Sequence, residues 1–157
     1  KVWALEALSD GTLISGDSLG HVQIWDGMSG TMTQTFRHNE SGADVLCLAV
    51  SDDENKIFAG GIDSSVRCFQ RQSSPPLAIT SDAPRNLVLH STPVRKWISS
   101  TSHRKHSHDV KALAICYKST NNSSKPIELV VSGSVDTRIM PKLPRRINVG
   151  LRFFNVS

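Results

Sequence analysis

The stretch SGDSLGHVQIWD, Ser15 to Asp26, decides the fold, because the chain carries it three times. It returns as AGGIDSSVRCFQ, Ala59 to Gln70, and as SGSVDTRIMPKL, Ser132 to Leu143. With Gly16, Gly60 and Gly133 as a common origin, the copies are 44 and 73 residues apart. A fixed spacing of this size marks a repeat architecture, and the longer second interval calls for extra residues between two units. Ahead of each glycine stands an apolar run rich in β-branched residues: VWAL from Val2, DVLCLAV from Asp44 and DVKALAI from Asp109. Each run meets a polar turn, at Ser9–Gly11, Ser51–Asn55 and Lys118–Pro126, and a second strand follows (TLISG, KIFAGG, ELVVSG). A unit therefore reads strand, turn, strand, tight turn, strand. In the first unit Thr31–Phe36 supplies a fourth strand.

A lone four-stranded sheet leaves apolar faces in water, and stacking neighbouring sheets buries them. The residues at the repeat positions resemble the WD-repeat family. Trp25-Asp26 stands where that family has its name-giving dipeptide, Asp63 and Asp136 occupy the tight turn, and His108 precedes a first strand. The resemblance implies a WD40-type β-propeller, all-β, with about three four-stranded blades. It also implies a buried hydrogen-bonded chain of histidine, turn aspartate, Ser/Thr and tryptophan. Its members are scattered over the blades: Ser15 and Trp25 in the first, with Leu19 at the turn; Asp63 in the second, with Ala59 and Phe69; His108, Ser132 and Asp136 in the third, with Lys142 in the tryptophan position. The expected blades are 1–38, 39–101 and 102–143, the last with a degenerate third strand, and 144–157 is an unassigned basic tail. Three blades do not close a ring, so the expectation is an incomplete ring, a fragment of a larger propeller. Lys1 already opens a strand-like run, which points to a natural start upstream.

The extra residues fall in a loop insertion at about 71–94, with Pro75, Pro76, Pro84 and Pro93, and in the polar turn Lys118–Pro126. Between them, Lys96–Thr101 can supply the second unit's fourth strand, with Trp97 and Ile98 packing. After it come His103, Arg104, Lys105, His106 and His108, a basic cluster at a rim, and with Arg95 and Lys96 the segment to His106 is the candidate RNA or partner contact. Such a cluster is either a solvated connecting loop or a contact for RNA phosphates or an acidic protein surface. A zinc site at His103, His106 and His108 is rejected, because apart from Asp109 no cysteine or carboxylate stands near at ligand spacing.

Composition limits the rest. A net charge of +4 and a pI near 9.2 suit an acidic or phosphate-bearing partner without requiring one. No apolar run approaches the length of about 20 residues that spans a bilayer, so no membrane role is expected. Cys47, Cys68 and Cys116 each lie in a strand-like run and read as reduced thiols of an intracellular protein. The glycosylation sequons at Asn39, Asn121, Asn122 and Asn155 carry little weight without a secretory signal. There is no G-x-S-x-G elbow, phosphate-binding glycine loop or H-E-x-x-H helix, and the turn aspartates form no acid–base pair. The chain is expected to be no enzyme, with no cofactor, metal or small-molecule substrate.

Taken together, VWALEALSDGTLISGDSLGHVQIWDGMSGTMTQTF, ADVLCLAV…GGIDSSVRCFQ and HSHDVKALAI…VSGSVDTRI resemble the cirhin family of WD-repeat subunits of the small-subunit processome. The likeness runs from Lys1 to about Leu143 and includes Leu19, the long insertion and HSHDV. It implies nuclear, nucleolar residence and a non-catalytic scaffold in early small-subunit biogenesis. Its partners would be other WD-repeat processome subunits and the 5′ external transcribed spacer of pre-rRNA, with support for pre-rRNA processing and rDNA transcription. The alternative is a generic WD-repeat adaptor of a ubiquitin-ligase, chromatin or trafficking complex.

Overall fold

The computed structural model describes residues 1–72, 96–118 and 127–142. The all-β expectation holds: the described residues form eleven strands in three antiparallel sheets. The first sheet is β1 (Val2–Ala7), β2 (Thr12–Asp17), β3 (His21–Asp26) and β4 (Thr31–Arg37), paired in chain order. The second is β5 (Val45–Val50), β6 (Lys56–Gly61), β7 (Ser65–Gln72) and β8 (Lys96–Arg104), again in chain order. The third has β9 (Val110–Lys118), β10 (Ile127–Ser134) and β11 (Ile139–Lys142). Arg71 and Gln72, placed in the insertion by sequence, instead end β7. The rest of that insertion, residues 119–126 and the tail 144–157 lie outside the described residues.

Alternation of inward and outward side chains sets the burial in each strand. One apolar cluster, with Ile14, Val22, Ile24, Val45, Ile57, Ala59, Phe69 and Trp97, joins the first two sheets. A second, with Cys47, Phe58, Val66, Cys68, Val110 and Val130, joins the second and third. The contact between sheets is built the same way twice. A Cβ on Gly16 would lie 2.6 Å from Val45 Cγ1, and one on Gly60 would lie 2.7 Å from Val110 Cγ1. Each glycine of a second strand is thus a notch filled by the valine that opens the next sheet's first strand. Cys47 adds to this seam, its thiol 3.7 Å from the Gly60 carbonyl and 3.5 Å from that of Val110. Burial pushes the Cys47 thiol up to about 12. Cys116 is exposed and Cys68 buried. In the folded 157-residue chain a maleimide is expected to label Cys116 and to reach Cys47 and Cys68 only on unfolding, as peptide mass spectrometry would read.

The fourth strand of the second sheet departs from expectation in two ways. It runs to Arg104 rather than Thr101, because pairing continues along all of β7 to Val66↔His103 and Ser65↔Arg104. And only Trp97 packs: it is 2% exposed, whereas Ile98 is 37% exposed. Successive strand residues point to opposite faces, so the two cannot share one core.

Candidate interaction rim

All three sheets share one orientation, first strand beside first strand, so their β-turns between the second and third strands gather on one rim. The links that carry the chain from one sheet to the next (Arg37–Asp44 and Arg104–Asp109) end on the same rim. Three backbone bonds pin these turns identically: Ser18 N–H to the Lys1 carbonyl (2.8 Å), Ile62 N–H to Asp44 (3.1 Å) and Val135 N–H to Asp109 (3.1 Å).

A carboxylate braces each turn from inside. Asp17 accepts the Leu19 and His21 amides at 2.9 and 2.8 Å and faces His21 Nδ1 at 3.3 Å. Asp63 accepts the Ser65 amide and hydroxyl and lies 3.2 Å from Nε2 of the fully buried His38. Asp136 accepts the Ser107 and Arg138 amides, each at 3.0 Å, and meets His106 Nδ1 at 3.0 Å. The opposite ring nitrogen of His106 is 2.8 Å from Ser132 Oγ.

The histidine of the buried chain is therefore His106, not His108. His106 is 4% exposed, which removes it from the solvent-facing contact set in which the sequence placed it. His108 is exposed and has Ser107 Oγ beside its Nδ1. His38, with no role in the sequence reading, is the second sheet's counterpart. Elsewhere the repeat positions carry the expected polar pair: Trp25 Nε1 donates to Ser15 Oγ at 2.9 Å. In the second sheet Ala59 and Phe69 replace both partners together, so neither a hydroxyl nor an indole N–H is stranded in the core. Asp26 lies at the opposite end of the blade, where it accepts the Met28 amide and the Ser29 hydroxyl.

The fourth residue of each turn is left-handed: Gly20 at φ +76°, Ser64 at +63° and Thr137 at +64°. Only the first sheet uses glycine there. A β-branched residue at such φ is strained, so Thr137→Gly is expected to raise stability by about 1 kcal/mol, read as a higher denaturation midpoint.

Burial alone would raise the Asp17, Asp63 and Asp136 carboxyls. The amide, hydroxyl and histidine hydrogen bonds they receive outweigh it and hold all three below the ordinary carboxylate range. A carboxyl that is more acidic folded than unfolded adds stability above its unfolded pKa, near 4, and loses it as pH falls towards the folded value. Acid unfolding is accordingly expected to begin below about pH 4. Asp63→Asn should flatten that limb of the pH–stability curve measured by circular dichroism.

The basic cluster does not form one patch. His103 and Arg104 end β8 at the rim, and Lys105 follows them. Lys96 opens β8 at the opposite end, eight residues or about 26 Å away at the usual strand rise. Arg95 lies outside the described residues. Lys96 instead borders a cleft of about 510 Å³ between the first two sheets, lined also by Asp10, Trp25, Gln34, Arg71 and Trp97. There Arg71 pairs with Asp10 and stacks 5.0 Å above the Trp97 ring, while Gln34 clasps the Trp97 backbone from the neighbouring sheet. Among the described residues no group of three or more His, Cys, Asp or Glu could hold a metal ion, and no helix is long and apolar enough to cross a membrane.

Residues 30–70 match the family model "WD domain, G-beta repeat", and the whole geometry agrees with that match. These are WD40-type propeller blades. The crystal structure of Saccharomyces cerevisiae Sqt1 superposes with a TM-score of 0.65 over 92% of this chain and 31% of that one, at 13% identity, a likeness of fold alone. The chain is homologous, over most of its length, to proteins named U3 small nucleolar RNA-associated protein 4. Identity is 30% over 147 residues to that of Schizosaccharomyces pombe and 33% over 149 residues to the Mus musculus homolog, each covering 94% of this chain. The Saccharomyces cerevisiae protein is 28% identical over 82% of the chain. The chain spans only 17% and 18% of the fission-yeast and mouse relatives' own lengths. Within the WD40 blades, the rim is where the repeat's braced turns and the inter-blade links converge.

Proposed function

We propose that this chain is a non-catalytic scaffold segment of the small-subunit processome, acting in the nucleolus during early ribosome biogenesis. The observation that carries this reading is its homology, over 94% of its residues, to proteins named for association with U3 small nucleolar RNA. WD40 blades suit such work: rigid sheets hold turns at fixed positions, and chemistry is left to other subunits. Other WD-repeat subunits of the complex are the proposed partners, together with the 5′ external transcribed spacer of pre-rRNA. Pre-rRNA processing, and with it rDNA transcription, is the process supported. Arg104, Lys105 and His103 at the rim are the proposed contacts; Lys96 would serve a separate contact at the opposite end, and Arg95, outside the described residues, is a further proposed contact. Purification of the tagged intact protein from cell extract, with and without RNase, tests the proposal. Recovery of processome subunits and spacer pre-rRNA is the expected result. An unrelated, RNase-indifferent set of partners would overturn it in favour of an adaptor role in another complex.

A further inference from the structure

Exposed large apolar side chains on the rim follow the repeat. Leu19, Ile62 and Val135 are 65%, 43% and 55% exposed, one from each blade's turn between its second and third strands. Ile62 and Val135 are equivalent residues, the very ones whose amides are pinned to Asp44 and Asp109, and Leu19 follows Ser18, pinned likewise. Trp3, 49% exposed, stands near the same rim with its indole N–H given to Asp44 at 2.8 Å. Single exposed leucines are ordinary on protein surfaces. An exposed aliphatic on each of three successive turns, every turn braced by a hydrogen-bonded carboxylate, is a row held in place at no cost in loop ordering.

The exposed charges around the patch are mostly cationic: Arg37, Arg104, Lys105 and Arg138 are exposed on the same rim against Glu40, while Asp109 is paired with Lys111 and Asp44 holds Trp3. We propose that this rim is a docking surface for an acidic, amphipathic protein segment, whose apolar side chains seat against Leu19, Ile62 and Val135 and whose carboxylates meet Arg104, Lys105 and Arg138. A nucleic acid fits the cations but not the aliphatics, which would be left beside a hydrated polyanion with nothing to contact. The inference narrows the rim contact proposed above for Arg104 and Lys105 to a protein partner, and it specifies that partner's chemistry and not its identity.

The test places a benzophenone amino acid at Ile62 or at Val135 of the intact protein in cells, with Met28, 91% exposed at the opposite end of the first blade, as the control position. After irradiation the adducts are mapped by mass spectrometry. Both rim positions are expected to capture the same acidic segment of one protein, and Met28 is not. Leu19→Ser with Val135→Ser should lower the Ile62 adduct at least tenfold, as should Arg104→Glu with Arg138→Glu. None of these side chains braces its turn, so folding is not at stake, and circular dichroism verifies it. Adducts to RNA at the rim, different proteins at the two rim positions, or a yield unchanged by the serine pair would each overturn the inference. Whether the captured protein is a processome subunit bears only on the function proposed above.

Discussion

Gly61→Ala is expected to lower stability by about 3 kcal/mol, more than Gly60→Ala one residue away. A Cβ on Gly61 would lie 2.2 Å from the Asp44 carbonyl oxygen, a backbone atom with no rotamer to yield. That oxygen also accepts the Ile62 amide at 3.1 Å, and the Asp44 side chain holds the Trp3 indole. Relief must therefore move the strand's lead residue and weaken two bonds that tie blades and rim together. Overpacking typically costs about 1–3 kcal/mol and each weakened hydrogen bond about 1 kcal/mol. At Gly60 the obstructing atoms belong to the side chains of Val110 and Cys47, which must also shift but can do so without displacing a carbonyl that accepts a backbone hydrogen bond. Denaturant titration should show a lower midpoint at unchanged slope for both variants, with the larger drop for Gly61→Ala. Equal drops would mean that the backbone at Asp44 is as yielding as a valine side chain.

His106→Ala is expected to cost about 2–3 kcal/mol, and His108→Ala no more than about 0.5 kcal/mol. Removing the His106 ring takes a partner from Ser132 and from Asp136 in a site closed to water, and it leaves a cavity between the second and third blades. His108 is exposed, so its loss strands nothing. Thermal melts of the two variants, run side by side, discriminate between the two histidines. If the two melts moved in reverse order, His108 would regain the place that the repeat pattern first assigned to it.

The comparison of these two histidines shows where the sequence was legible. The blades were readable because strand alternation, turn residues and the glycine notch are all local signals of fixed spacing. Ser15 with Trp25 was readable for the same reason: both positions lie inside strands. A histidine in a link between blades has no such ruler. His38 precedes its next first strand, at Val45, by seven residues, whereas His106 precedes Val110 by four. Measured from the strand behind, the two nearly agree, one residue after Arg37 and two after Arg104. That ruler requires the true end of β8, and its serine-rich course from Ser99 to Ser102 has no apolar alternation to reveal it. The same blind spot merged Lys96 with Arg104 into one basic patch, because closeness in sequence suggests closeness in space only where the chain is not extended. The aliphatic row at the rim was invisible for a different reason: its members are isolated residues in turns, and only the shared orientation of the blades brings them to one edge.

The length of β8 has a further consequence for assembly. Two ligands, one at Lys96 and one at Arg104, would sit on opposite ends of a stiff rod about 26 Å long. A single polypeptide could engage both only through at least about eight fully extended residues. With a shorter tether the two ends are occupied independently, and avidity is lost. With a tether of matching length, the local concentration at the second end rises to the millimolar range. The strand is then a molecular gauge, admitting bivalent partners by their linker length.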